Sequence, residues 1–271
     1  ITTLGGNDDI TSTGNSYIDS GAGDDSIITK AGKDTIKAGS GRDYINSGDG
    51  DDYIDAGNGD DILVGGSGND TLIGGLGSDT YEFSGNFGND IIINEDEKNT
   101  TDKIKFSDNT KASDLKFYQD DNKNLIISKG KNSITIKGFY SFNKDNMPNS
   151  VIDQIQFNDG SYLNLKEINA LALLSSDDSN NYLSVVTNDG YEVNAKGGDD
   201  FISTLGGDDK ILSGSGSDKI YSGAGNDYID AGDGNDIIDA GSGNDILIGG
   251  KGDDTLIGGS GSDTYIFDKE F

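Results

Sequence analysis

Single apolar residues recur every nine positions in two separate stretches of this chain. They are Ile27, Ile36, Ile45, Ile54, Leu63, Leu72 and Tyr81 in the first stretch, and Ile202, Ile211, Ile220, Ile229, Ile238, Leu247, Leu256 and Tyr265 in the second. One apolar side chain in nine cannot form a core within its own repeat. We therefore expect very short strands, each with one inward side chain, that stack at a spacing of about 4.8 Å into an aliphatic column.

An aspartate stands two positions before each of these apolar residues, and a glycine stands two positions before each aspartate. The aspartates are Asp25, Asp34, Asp43, Asp52, Asp61, Asp70 and Asp79, then Asp200, Asp209, Asp218, Asp227, Asp236, Asp245, Asp254 and Asp263. Glycine permits the positive φ of a sharp turn, and aspartate is short enough to keep its carboxylate beside the turn carbonyls. Hard cations such as Ca²⁺ take six to eight oxygens at about 2.3–2.6 Å. Two stacked turns, each with two carbonyls and one carboxylate, would supply six.

The nine-residue period also predicts which carboxylates share a site. If each repeat is half of a coil, turns on the same side of the coil are eighteen residues apart. The predicted pairs are Asp25/Asp43, Asp34/Asp52, Asp43/Asp61, Asp52/Asp70 and Asp61/Asp79, then Asp200/Asp218, Asp209/Asp227, Asp218/Asp236, Asp227/Asp245, Asp236/Asp254 and Asp245/Asp263. The sequence therefore predicts about five Ca²⁺ sites in the first array and six in the second.

The charge distribution supports cation binding in the two arrays. The chain has 43 Asp but 6 Glu, and its net charge is −29. Residues 1–82 carry −12, residues 83–192 carry −6 and residues 193–271 carry −11, so five and six Ca²⁺ would nearly neutralise the arrays. Without metal, stacked carboxylates about 5 Å apart would repel one another. We expect arrays that are disordered without calcium and that fold when calcium binds.

The composition excludes several classes of function. The chain has no Cys and no His, which excludes zinc–thiolate sites, His-ligated metals and His-dependent catalytic triads. It contains neither G-x-S-x-G nor H-E-x-x-H, so we expect no enzyme activity in it. No apolar run approaches the roughly 18 residues of a membrane span, and the acidic balance argues against nucleic acid. The chain begins within a repeat and lacks an initiator Met, so we expect a fragment of a longer protein.

The part of the chain between the arrays has no nine-residue period and predicts an additional β-rich region. Its short apolar runs lie at 90–94, 103–106, 115–118, 125–128, 133–142 and 151–157, and helical spacing predicts one helix near 165–174. We expect three domains, with limits 1–83, 84–192 and 193–271. We expect a degenerate turn at the start of each array. The first array begins near Asp8, and the second begins with Tyr191 in the aspartate position before Val193.

The pattern G-G-x-G-x-D-x-U-x, in which U is apolar, resembles the RTX (repeats-in-toxin) family of bacterial proteins exported by type I secretion. The resemblance implies an all-β fold with two parallel β-roll blocks that flank a β-rich capping domain. The stretch Asn124–Ile168 is similar to the haemolysin-type calcium-binding-related domain, which often caps such rolls. Each array ends alike, in "GSDTYEF" at 77–83 and "GSDTYIF" at 261–267. The aromatic pair resembles the point where an RTX roll meets a capping segment.

The resemblance also implies which carbonyls join the carboxylates around Ca²⁺. For the site of Asp52 and Asp70 they would come from Gly48, Gly50, Gly65 and Ser67. The carbonyl-donor glycines implied across both arrays are Gly39, Gly41, Gly48, Gly50, Gly57, Gly59, Gly66, Gly68, Gly214, Gly216, Gly223, Gly225, Gly232, Gly234, Gly241, Gly243, Gly250 and Gly252.

Three functional hypotheses follow from these residues and the resemblance. The first is a structural module that folds on calcium binding outside the cell, within a secreted toxin, adhesin or surface-layer protein. The second is an interaction module whose middle region binds other copies of the chain or a host surface. The third is the non-catalytic C-terminal region of a secreted lipase or protease.

Overall fold

The computed structural model describes residues 1–94, 100–142, 150–174 and 176–267. Within them the chain is all-β with one short α-helix, as the sequence predicts. It divides into two compact units, which are Ile1–Lys116 with Asn124–Leu165 and Phe117–Lys123 with Lys166–Phe271. The three-domain division at residues 83 and 192 stays a prediction.

Most strands are three to six residues long. From the N-terminus they are β1 Asp9–Thr11, β2 Tyr17–Ala22, β3 Ser26–Ile28, β4 Thr35–Ser40, β5 Tyr44–Asn46, β6 Tyr53–Asn58, β7 Ile62–Val64, β8 Thr71–Leu76, β9 Thr80–Phe83, β10 Asn89–Ile93, β11 Lys103–Phe106, β12 Lys116–Gln119, β13 Leu125–Lys129, β14 Asn132–Ile136, β15 Gln154–Phe157 and β16 Tyr162–Asn164. A 3₁₀ helix lies at Ala112–Asp114, and helix α1 at Leu165–Leu173. The remaining strands are β17 Tyr182–Ser184, β18 Glu192–Asn194, β19 Phe201–Ser203, β20 Lys210–Ser215, β21 Lys219–Tyr221, β22 Tyr228–Asp233, β23 Ile237–Asp239, β24 Ile246–Ile248, β25 Thr255–Ile257 and β26 Thr264–Ile266.

Successive repeats of the first unit lie alternately in two parallel sheets. Strands β1, β3, β5, β7 and β9 follow one another in one sheet, and β2, β4, β6 and β8 do so in the other. The pairing register is eighteen residues, since Ile27 lies opposite Ile45 and Ile36 lies opposite Ile54. Each nonapeptide is therefore half of a coil, and turns two repeats apart are stacked, as the sequence predicts.

The periodic apolar residues form the interior of this roll. From Ile18 to Tyr81 each of them is fully buried, and burial of one such side chain contributes about 1.5–3 kcal/mol. A second column of small residues lines the roll beside them. It includes buried Ala38 and Ala56, and Ser47, whose Oγ donates a hydrogen bond of 2.8 Å to the Gly65 carbonyl one coil further on. The serines satisfy their hydroxyls without leaving the interior.

The roll continues past the periodic sequence into residues between the arrays. Strand β10 pairs in parallel with β8, and β11 pairs in parallel with β9. Strands β14 and β15 add one further parallel layer to each sheet, and β13 and β16 then pair antiparallel with them. Phe83, Phe87, Phe106 and Phe157 fill the interior here, with centroid separations of 5.1–6.3 Å between neighbouring rings. The coils in this part of the roll are longer than eighteen residues, since their ladder contacts span 20 and 23 residues. The phenylalanine rings fill their interior.

The second unit repeats the same two-sheet arrangement. Its sheets run β17-β19-β21-β23-β25 and β18-β20-β22-β24-β26, all in parallel. The side chain of Gln119 pairs with the first strand, since it donates to the Ser184 carbonyl at 2.8 Å and accepts from the Ser184 N–H at 2.7 Å. Leu173 of α1 joins the same core. At the other end Tyr265 and Phe267 are exposed, in contrast to buried Tyr81 and Phe83.

Close stacking of the coils requires glycine at the turns. Gly66 has φ 96°, and a Cβ atom there would lie 1.9 Å from the carbonyl oxygen of Gly48 in the preceding coil. Gly160, in the turn between β15 and β16, has a similar φ of 86°, but nothing lies within 4 Å of its Cβ position. Both glycines have a left-handed backbone conformation, but only Gly66 lies against the backbone of a neighbouring coil.

Replacing these two glycines separates strain from stacking. Gly160→Ala should cost about 1–2 kcal/mol, the penalty for a left-handed non-glycine residue. Gly66→Ala should cost about 1–3 kcal/mol more, because the new methyl group overlaps the neighbouring backbone. Thermal unfolding of both variants in saturating calcium measures the difference. Equal destabilisation by the two substitutions would show that the coils do not stack as closely as described.

Candidate metal centre

The aspartates of each array form two ladders, one on each side of the roll. We use the term carboxylate ladder for a series in which the backbone N–H of one aspartate donates to a carboxylate oxygen of the aspartate one coil later, which within the arrays is Oδ1 of the aspartate eighteen residues later. The N–H of Asp43 donates to Asp61 at 2.7 Å on one side, and that of Asp52 donates to Asp70 at 2.8 Å on the other. The same contact recurs in both units. Asp61 and Asp70, adjacent in the periodic sequence, therefore belong to different ladders.

The second carboxylate oxygen of most ladder residues is buried without a hydrogen-bond partner. Such Oδ2 atoms occur in Asp25, Asp34, Asp43, Asp52, Asp61, Asp70, Asp79, Asp200, Asp209, Asp218, Asp227, Asp236 and Asp245, and also in Asp8 and Asp90. Asp254 and Asp263 are more exposed, because they belong to the final turns of the described roll. A buried carboxylate oxygen without a partner is costly unless a cation or a proton neutralises it.

The turn glycines would provide the backbone part of such a site. The donor glycines implied across both arrays have positive φ, between 90° and 156°. Gly65, also implied for the site of Asp52 and Asp70, does not, and its carbonyl accepts from Ser47 Oγ inside the roll. In the turns of Asp52 and Asp70, the Gly48 carbonyl accepts from the Ser67 N–H and the Ser67 carbonyl accepts from the Gly50 N–H, both at 2.8 Å. A carbonyl has two lone pairs, so these contacts leave each oxygen a further acceptor position.

Within the part of the chain that the structure describes, no three acidic side chains converge on one point. A cation between two ladder residues would therefore have two carboxylates and several backbone carbonyls as ligands. An all-oxygen ligand set of this kind suits Ca²⁺. The partnerless Oδ2 atoms and the positive-φ turns both fit that ion.

Burial changes the acidity of the ladder. It raises the pKa of Asp61, Asp70 and Asp79 to about 7, and that of Asp43 to about 6. Desolvation is the largest cause, the backbone N–H bond to Oδ1 opposes it, and repulsion from the stacked carboxylate adds to it. In the second unit burial raises the pKa of Asp209 to about 7. Without a cation these carboxyl groups therefore keep their protons to a higher pH in the folded roll than in the unfolded chain.

The first pair of ladders extends further than the nine-residue period predicts. The added contacts run from the N–H of Asp8 to Asp25, of Asp70 to Asp90, of Asp79 to Asp102 and of Asp102 to Asp153, at 2.7–2.8 Å. The last three added aspartates precede a buried isoleucine by two positions, at Ile92, Ile104 and Ile155. A search for the Asp-x-Ile spacing alone would have identified these three aspartates from the sequence. Insertions between them break the nine-residue period, so a search for the period misses them.

Other polar residues at the turns also escaped the sequence pattern. The residue just before each ladder aspartate forms an outer, exposed series of contacts. For example, Asp51 accepts from the Asn69 N–H at 2.9 Å, and Asp60 accepts from the Ser78 N–H at 2.8 Å. In the second unit Tyr191 takes an aspartate position, as expected for a degenerate turn, and its N–H donates to Asp209 at 2.7 Å.

The raised pKa values predict how the metal-free chain responds to pH. The folded roll binds more protons than the unfolded chain between the ordinary aspartate pKa, near 4, and about 7. Its free energy of unfolding in a chelator should therefore rise as the pH falls from 8 to 5, and the β-sheet signal in circular dichroism should increase. In calcium the same acidification should weaken binding, because protons compete for the carboxylates. A chelated sample whose β-sheet signal is constant or decreases over this range would contradict the prediction.

The described residues contain no helix long and apolar enough to cross a membrane.

Comparison with known proteins gives a match to one family and none to a curated protein. The profile of the RTX calcium-binding nonapeptide repeat (4 copies) matches seven overlapping segments, which are residues 2–36, 28–63, 47–81, 55–92, 194–229, 213–247 and 230–265. Since these segments cover more than half of the sequence, the chain belongs to the family of RTX calcium-binding repeats.

Proposed function

We propose that this chain is a structural module that folds when Ca²⁺ binds outside the cell, as part of a larger toxin, adhesin or surface-layer protein exported by type I secretion. The observation that carries the proposal is the series of buried, partnerless Oδ2 atoms along both rolls. They are stacked at positions where a divalent cation would be needed to hold the coils together. Calcium binding would then supply folding free energy.

The proposed sites lie between aspartates eighteen residues apart. Five pairs in the first array and six in the second would each hold one Ca²⁺, together with carbonyls of the turn glycines. Oδ1 of each aspartate keeps its backbone N–H bond, so Oδ2 is the oxygen that would bind the ion. In this arrangement a bound ion offsets the repulsion between two carboxylates and joins one coil to the next.

The difference in calcium concentration across the cell envelope makes such folding useful for export. Cytoplasmic calcium is low, so the acidic repeats would stay unfolded and could pass through a narrow secretion channel. Extracellular calcium is high, so the rolls would form after export. The role is mechanical and conformational, and the proposal assigns no catalytic residue to the chain.

Calcium-dependent folding can be measured directly. In a chelator at pH 7.5 the chain should give the far-ultraviolet circular dichroism of a largely unfolded protein, and calcium should produce a cooperative β-sheet signal. Magnesium at the same concentration should be much less effective, because it requires octahedral geometry and dehydrates reluctantly. An identical β-sheet signal in chelator and in calcium would refute the proposal.

A pair of adjacent substitutions tests the assignment of ligands. Asp61→Asn keeps the Oδ1 acceptor but removes the charge from a fully buried carboxylate that faces Asp43 and Asp79. Asp60→Asn makes the same change in charge at an exposed position. The Asp61 variant should bind about two fewer ions per chain and need more calcium to fold, whereas the Asp60 variant should resemble the unmodified chain. Equal effects would mean that only net charge matters.

A further inference from the structure

The two ladders of the first unit both continue past the periodic sequence, but the first aspartates that they add differ in environment. One ladder continues from Asp70 to Asp90, and the other from Asp79 to Asp102. Asp90 and Asp102 are both buried, with exposed fractions of 1% and 0%. What differs is the environment of the second carboxylate oxygen.

The turn before Asp90 reproduces the geometry of the periodic turns despite two additional residues. Asp79 and Asp90 are eleven residues apart instead of nine. The insertion places the ring of Phe87 in the interior, where it contacts Phe83 at 5.1 Å between centroids. The backbone then returns to register at Gly88, which forms a parallel bridge with Gly68.

Gly88 repeats the contact of the array glycines. It has φ 90°, and a Cβ atom there would lie 1.6 Å from the Gly68 carbonyl oxygen. Asp90 accepts from the Asp70 N–H at 2.8 Å, the distance that also separates Asp52 N and Asp70 Oδ1. The Oδ2 atoms of Asp70 and Asp90 are both buried without a partner. This pair therefore has the carboxylate arrangement of the proposed periodic sites.

In the other ladder a side-chain amide contacts Asp102. Oδ2 of Asp102 accepts from Nδ2 of Asn94 at 2.8 Å, and the same Nδ2 donates to the Val151 carbonyl at 2.9 Å. Oδ1 of Asn94 accepts from the Tyr81 hydroxyl at 2.7 Å, and that hydroxyl accepts from the Gly74 N–H at 3.1 Å. Asn94 is itself buried, with 3% exposed. All hydrogen-bonding groups of its amide have partners.

An amide N–H that faces a carboxylate oxygen occupies the position from which a cation would approach. It also stabilises the charge of that oxygen without metal. The sequence agrees with this difference, because Thr100 stands where the periodic turns have glycine two residues before the aspartate. The Asn94 amide thus satisfies Oδ2 of Asp102 by hydrogen bonding, although the ladder itself goes on to Asp153.

We infer that Asp70 and Asp90 form an additional Ca²⁺ site beyond the periodic array, whereas Asp79 and Asp102 hold no ion because Asn94 takes its place. The inference rests on the proposed calcium-binding function and adds one site that the nine-residue period does not predict. It assigns opposite roles to two buried aspartates that lie in equivalent ladder positions.

Counting bound ions in matched variants of the full chain tests the inference. Asp90→Asn should lose one Ca²⁺ per chain in equilibrium dialysis with radioactive calcium. Asp102→Asn, an isosteric change at an equally buried position, should keep the number of ions of the unmodified chain. Loss of no ion from the Asp90 variant, or of an ion from the Asp102 variant, would overturn the inference. If the unmodified chain binds no calcium, the proposed function itself fails.

A second measurement does not depend on the folding of the variants. Anomalous scattering from calcium in crystals of the unmodified chain should give a peak between Asp70 and Asp90 and none between Asp79 and Asp102. Peaks at both positions, or a peak only at the second, would overturn the inference. Peaks between the periodic pairs in the same map would show that the proposed function stands in either case.

Discussion

The structure depends on the buried carboxylate of each ladder aspartate. One oxygen accepts the backbone N–H of the aspartate one coil earlier and sets the stacking register. In most ladder aspartates the other oxygen is enclosed without a partner, so the folded roll carries a row of carboxyl groups whose charge must be neutralised. Under the proposed function a bound cation would both satisfy this oxygen and join consecutive coils. The same group would thus specify the fold and make it conditional on the solution.

The apolar interior of the roll is narrow. Each half-coil contributes one large apolar side chain, such as Ile45 or Leu63, and its neighbours are small residues such as Ala56. Chains with low hydrophobicity and high net charge rarely offset their conformational entropy by burial alone. The glycines that allow close stacking increase that entropy further. In the proposed function cation binding would supply the remaining large stabilising contribution, which would explain why so many aspartates are enclosed.

Strict periodicity made much of the fold and of the candidate site predictable. One aspartate and one apolar residue in every nine were enough to indicate half-coils and pairs eighteen residues apart, because stacking repeats the same contacts. Asp90 and Asp102 escaped prediction, since insertions of two and more residues interrupt the period while the backbone keeps its register at Gly88. The role of Asn94 could not be read from the sequence, because it depends on long-range contacts with Tyr81 and Val151.

Under the proposed function, calcium at the buried carboxylates converts an unfolded chain into stacked coils. Hydrogen–deuterium exchange of the backbone amides tests it most directly, because the N–H groups of Asp43, Asp52 and Asp61 donate to the next carboxylate of the ladder. These amides should exchange rapidly in chelator and slowly in calcium, in both arrays. Slow exchange of the same amides in chelator would contradict the account, because the ladder would then be stable without the ion.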